Sequence, residues 1–279
     1  MVTQKYFKKY CNVKNSLNQT INYMIELVLD REINLELKVF MVTEVFQYLF
    51  RSITLQSNQH FSRVSILNSA CARSCNFRTI QWLVEGLQLN IYSPNSTGYT
   101  VFHSLAQIGN LELMKYFVNR VILENGQEGV VKIMNQTTQI DGLTPGFLTA
   151  YNDRQNILEY FINELGLKSQ LAQQKAKNGQ NILMMAIQKS NYSLIKYICE
   201  QFLPDKLIDI NEGNIYGKTV LEQAAKTNRL QIVQYLIANW EADGLSLFQD
   251  PEKKKIPNNI LDALSRHYNI DIPMIQDNQ

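Results

Sequence analysis

The sequence is short of nearly everything that marks a specialised chemistry. It holds three histidines, His60, His103 and His267, and four cysteines, Cys11, Cys71, Cys75 and Cys199. Isolated imidazoles this far apart make neither a nucleophilic triad nor a zinc set. Cys71 and Cys75 lie close in sequence, but a metal pair needs two more ligands and no Cys or His cluster offers them. They read as small core residues. Few thiols and no apolar signal core at the N-terminus point to a reducing, intracellular compartment. The N-x-S/T sequons at Asn18, Asn95, Asn135 and Asn191 then have no glycosylation route. No apolar run reaches the roughly 18 residues that a membrane span needs. A formal net charge of +2 gives no global case for nucleic acid or an anionic membrane. Catalytic residues, cofactor, metal and small-molecule substrate are all expected to be none.

What is present is an ordinary globular composition, 45% apolar and 19% charged, over 279 residues. That is enough for one large domain or an elongated array with a sizeable core. Asn and Gln together make up nearly a fifth of the chain. Asn, Lys, Ile and Tyr are residues of AT-rich codons, as in a ciliate-like genome.

One stretch suggests a nucleotide site. The apolar run Leu207–Ile210 precedes EGNIYGKTVLEQAA (Glu212–Ala225), the outline of strand, glycine loop, Gly-Lys-Thr and helix. A phosphate loop needs four residues between its glycines so that the backbone amides can wrap the phosphates. Gly213 and Gly217 enclose only Asn214, Ile215 and Tyr216, and Glu212 puts a negative charge at the entrance.

The same segment also recurs. Frames opening at Gly98, Gly142, Gly179 and Gly217 are spaced 44, 37 and 38 residues apart. Each has Thr or Asn two residues after the glycine, at Thr100, Thr144, Asn181 and Thr219. Small residues follow near Ala106, Ala150, Ala186 and Ala224. Each frame closes on an apolar phrase with an aromatic at Tyr116, Tyr160, Tyr197 or Tyr235, and Trp82 holds that place in an earlier unit. The pattern predicts a glycine turn, a Thr-capped first helix and an amphipathic second helix, stacked because no unit can bury its own face.

These frames resemble the ankyrin repeat. Gly98–Val118 is the best match, with Thr100, His103, Ala106 and Gly109 in place; Gly142–Ile162 keeps Thr144-Pro145 but carries Gly146 and Phe147 where the family has Leu-His. The resemblance implies an all-α ankyrin-repeat solenoid of helix-turn-helix units with degenerate helical caps. It also makes Gly217-Lys218-Thr219 a repeat opening, and His103 a structural imidazole bonded to neighbouring loop backbone.

The predicted organisation is a basic N-terminal arm over 1–19, a degenerate repeat or helical cap over 20–62, about five repeats over 63–240, and a C-terminal cap helix and tail over 241–279. The long first spacing places an insertion near 119–139, with a loop around Gly126 and Gly129. A helix is expected over Asn258–Tyr268.

The resemblance implies a non-enzymatic protein-protein interaction scaffold. A structural subunit of a larger intracellular assembly is the first reading, and a regulatory adaptor or inhibitor subunit of an enzyme is the alternative. Cytoplasm, cytoskeleton, cilium and mitochondrion are all compatible compartments. Family geometry puts the partner surface on the turn tips and exposed first-helix sides. That selects Tyr99, Gln107, Ile108, Asp141, Leu143, Tyr151, Asn152, Gln180, Gln188, Lys189, Tyr216, Lys218 and Lys226. Lys5, Lys8, Lys9 and Lys14, interleaved with aromatics, would suit an acidic partner, and a nucleic-acid role through this arm is the weaker alternative.

Overall fold

The computed structural model describes residues 63–72, 77–86, 88–189, 191–249 and 256–269. All of these but Arg63 fall in one compact unit, Val64–Gln279. The expected arm and N-terminal cap, with Lys5, Lys8, Lys9 and Lys14, lie outside the described residues. So do His60, Cys11, Cys75 and the Lys253–Lys255 run.

The described chain is a solenoid of stacked helix pairs, with no strand among the described residues. The pairs are α1 (Arg63–Ala72) with α2 (Phe77–Glu85), α3 (Val101–Ile108) with α4 (Leu111–Met134), and α5 (Pro145–Tyr151) with α6 (Gln155–Glu159). A short helix α7 (Lys168–Gln173) precedes α8 (Ile182–Lys189) with α9 (Tyr192–Phe202), and α10 (Val220–Lys226) pairs with α11 (Leu230–Trp240). Two helices close the array, α12 (Ser246–Gln249) and α13 (Asn258–Tyr268), the latter packed on α11.

First helices α3, α5, α8 and α10 pack successively on one another. They can do so because the small residues of the frame, Ala106, Ala150, Ala186, Ala224 and Ala225, are all fully buried between them. Six successive residues of α3, Val101–Ala106, are buried, as befits a helix sandwiched between two neighbours. Second helices show one apolar stripe instead. On α9 it is Leu194, Ile195, Ile198, Cys199 and Phe202, while Lys196 and Glu200 stay exposed. One continuous apolar core runs from Leu67 to Leu264.

Between repeats the chain forms tight fingers. In the first, Gly98 N–H bonds Asn95 O at 3.0 Å, and Asn95 N–H bonds Tyr99 O at 2.7 Å. Gly98 sits at φ +83°, and a Cβ there would lie 2.8 Å from Gln139 N, so the position needs glycine twice over. Single backbone bonds stitch finger to finger: Gln139 N to Thr97 O, Lys177 N to Asp141 O, and Ile215 N to Asn178 O. After each finger the frame Thr or Asn caps the next helix. Thr144, Asn181 and Thr219 accept from the amides of Phe147, Met184 and Glu222.

One expectation needs correction, and one second helix departs from regular geometry. The extra residues after α3 do not form a loop. They lengthen α4, which turns a corner at the single non-helical residue Gly126 (φ +64°, ψ −168°). Gly129 lets the second arm fold close against Asn125 and Val121, and Val130, Ile133 and Met134 re-enter the core. Helix-forming residues on both sides of Gly126 keep the backbone bonds internal, and a loop would have left them to solvent. The departure is at Tyr160–Glu164, where α6 widens into a π-turn and Leu165 N–H reaches back to Tyr160 O.

Candidate partner-binding groove

The nucleotide reading fails on geometry. The amides of Tyr216 and Lys218 both donate to Asn214 Oδ1, and that of Gly217 donates to Asn214 O. The finger has spent on itself the donors a phosphate would need. Among the described residues no cluster of three His, Cys, Asp or Glu side chains could hold a metal ion. No described helix is long and apolar enough to cross a membrane.

His103 does structural work. It is fully buried. Thr100 N–H donates to Nδ1 at 3.2 Å, which fixes the proton on Nε2, and Nε2 reaches Gln136 O and Leu143 O, each at 3.1 Å. The imidazole thus ties α3 to the next finger. Burial pushes its pKa down to about 4, outweighing the bonds to the Leu143 and Gln136 carbonyls that favour the charged form. The following repeat has Phe147 in the core where a histidine would stand, and a residue outside the repeat frame, Gln174, takes over the bridge. Its amide accepts from Thr144 Oγ1 at 2.6 Å and donates to Met134 O at 3.1 Å. Gly146 belongs to the same adjustment. A Cβ there would lie 2.3 Å from Leu171 Cδ2, so the missing side chain leaves room for the Leu171 side chain of α7.

The open site is a groove of about 530 Å³ between the finger tips and the C-terminal ends of α3, α5 and α8. Nine of the positions expected on the partner surface line it: Tyr99, Gln107, Asp141, Leu143, Tyr151, Asn152, Gln180, Gln188 and Lys189. Residues the family frame did not single out complete it, chiefly Lys177, Asn178, Ile140, Leu148 and Met185. Ile140 and Lys177 occupy finger-tip positions. Their only signal in the sequence is their place two residues before Gly142 and Gly179.

The remaining positions fall elsewhere. Ile108 is half-buried and outside the groove lining, as is Lys218. Tyr216 is exposed on the last finger, beside the exposed Ile215. Lys226 is bound at 2.6 Å to Glu222 on its own helix, both side chains largely covered, so it is part of the scaffold. Gln180 lines the groove yet is buried beneath its rim. Its side-chain oxygen is taken by Asn178 Nδ2 at 2.9 Å and Gln188 Nε2 at 3.1 Å, so that oxygen supports the wall and is not free for a partner.

Tyr99, Leu143 and Tyr151 are half-buried and packed against the core, each with one edge on the groove. Burial, and then the Asp141 charge, raise the Tyr99 phenol above its ordinary range. Lys189 Nζ sits 4.5 Å from the Tyr151 ring centroid, a cation-π contact that holds the ammonium over the groove.

Comparison with known proteins gives two matches. A family model described as ankyrin repeats (3 copies) matches residues 147–246, and one described as ankyrin repeats (many copies) matches 69–118. Among curated proteins, none matches this chain.

Proposed function

Because the chain belongs to the ankyrin repeat family, whose repeats mediate protein-protein interactions, we propose that it is a non-enzymatic scaffold that docks a partner protein in the groove across α3, α5 and α8. The observation that carries this reading is the groove itself. It is a concave site of about 530 Å³, with aromatic and aliphatic residues on its floor and amides and lysines on its walls. That mix of apolar anchors and adaptable polar groups is the usual make-up of a protein-recognition surface. The scaffold is a resident subunit of a larger assembly, working within the cell and without chemistry of its own.

The test is affinity capture of the tagged full chain from its native source at moderate salt, beside a variant with Gln107→Trp and Gln188→Trp. Both side chains are exposed on the rim, so tryptophans fill the groove without entering the core. A stoichiometric, salt-resistant set of proteins that the variant loses supports a resident subunit. A weak, salt-sensitive set that the variant loses indicates the regulatory adaptor instead. A set that binds both forms equally removes the groove from the account.

A further inference from the structure

Resting on the reading that the groove docks a protein, we propose that its occupant is an acidic segment of the partner. The segment sets a carboxylate at the helix end of the groove and a bulky apolar side chain on its floor.

The two ends of the groove differ in charge. At the finger end, Asp141 and Lys177 oppose one another in sign, and Lys177 is committed. Its stem lies across Gly142, where a Cβ would meet Lys177 Cγ at 2.8 Å, and its ammonium bonds the Gln139 carbonyl. At the helix end, Lys189 is exposed, and among the described residues no carboxylate pairs with it. Elsewhere Lys115, Lys168, Lys175 and Lys196 are matched by Glu164, Asp205, Glu212 and Glu200.

Two guanidinium groups are spent on the ends of first helices. Arg154 Nε donates to Gln107 O at 3.0 Å and an Arg229 terminal nitrogen to Gln188 O at 3.4 Å, at the C-terminal ends of α3 and α8. The acid on the intervening turn, Asp153, is already engaged. It accepts from Asn191 Nδ2 at 2.7 Å and from Asn191 N at 3.3 Å. Tyr99, Leu143, Leu148 and Met185 form the apolar floor between the two ends. A neutral or basic segment closing over this groove would strip water from Lys189 and return no counter-charge. A carboxylate replaces that water with a charge-assisted bond.

The probe is a displayed library of short random peptides, panned on the immobilised full-length protein and read by sequencing. Peptides enriched by the wild type carry Asp or Glu near Leu, Ile, Met or Phe, and the groove-filled Gln107→Trp, Gln188→Trp variant loses them. Lys189→Gln weakens the acidic set, and Lys189→Glu cuts it by about tenfold and selects basic peptides instead, which only a folded groove can do. Lys132→Glu, on the exposed part of α4, leaves the enrichment unchanged. Enrichment that is groove-dependent but shows no acidic bias, or that survives both Lys189 variants, overturns the acidic segment and leaves docking intact. Enrichment that the groove-filled variant retains, or no enrichment at all, overturns the docking reading itself.

Discussion

His103 makes stability depend on pH in a way that can be worked out from its surroundings. Folded, it is neutral, with Nδ1 accepting from Thr100 N–H and Nε2–H facing the Gln136 and Leu143 carbonyls. A proton on Nδ1 would break the first bond and bury a charge. Its folded pKa is therefore low, about 4, against an ordinary value of 6.5. As pH falls below 6.5 the unfolded chain takes up the proton first, so the stability present above that value is lost progressively until the folded pKa is passed. The full loss is about 3 kcal/mol, and about 2 kcal/mol of it falls between about pH 7 and about pH 5. Denaturant unfolding of the wild type and of His103→Gln at both pH values isolates this increment. Gln cannot titrate, so the variant, whatever its absolute stability, should lack that part of the pH-dependent fall. Equal falls in both proteins would refute the buried neutral imidazole.

Other substitutions separate strain, bridging and burial. Gly98→Ala should destabilise by roughly 2–4 kcal/mol in chemical denaturation, since left-handed strain adds to a clash with Gln139 N. Gly166→Ala, at φ +66° with nothing within 4 Å of its Cβ, should cost only about 1 kcal/mol. Gln174→Ala leaves the buried Thr144 hydroxyl and the Met134 carbonyl without their partner and should cost about 1–3 kcal/mol by the same measurement, whereas Gln188→Ala on the exposed rim should stay within about 0.5 kcal/mol. Cys199 is fully buried, and burial pushes its thiol up to about 12, so iodoacetamide in native buffer should leave it unmodified by peptide mass mapping until denaturant is added.

The parts of the fold that are local in sequence were legible in it. The spacing of Gly98, Gly142, Gly179 and Gly217 marks the fingers because each finger needs one left-handed residue at a fixed place. Thr144 and Thr219 announce their helices because a cap lies three residues from the amide it accepts. The bridge made by Gln174 was not legible, since it joins residues 30 to 40 positions apart and has no frame position. Gly126 looked like a loop residue because glycine marks both loops and corners, and only the packing of Val130 and Ile133 decides between them. The surface frame named most of the groove, yet it could not tell Lys189, open over Tyr151, from Lys226, tied to Glu222 on its own helix.

The most direct test of partner docking in the groove is site-specific photo-crosslinking in native extract. A benzophenone side chain replaces Gln107 or Gln188 on the groove rim, or Lys196 on the exposed face of α9, outside the groove lining. The account predicts a discrete, shared partner adduct from both rim positions and none from Lys196. Adducts formed from Lys196 while the rim positions stay silent would place the partner on the second helices and contradict it.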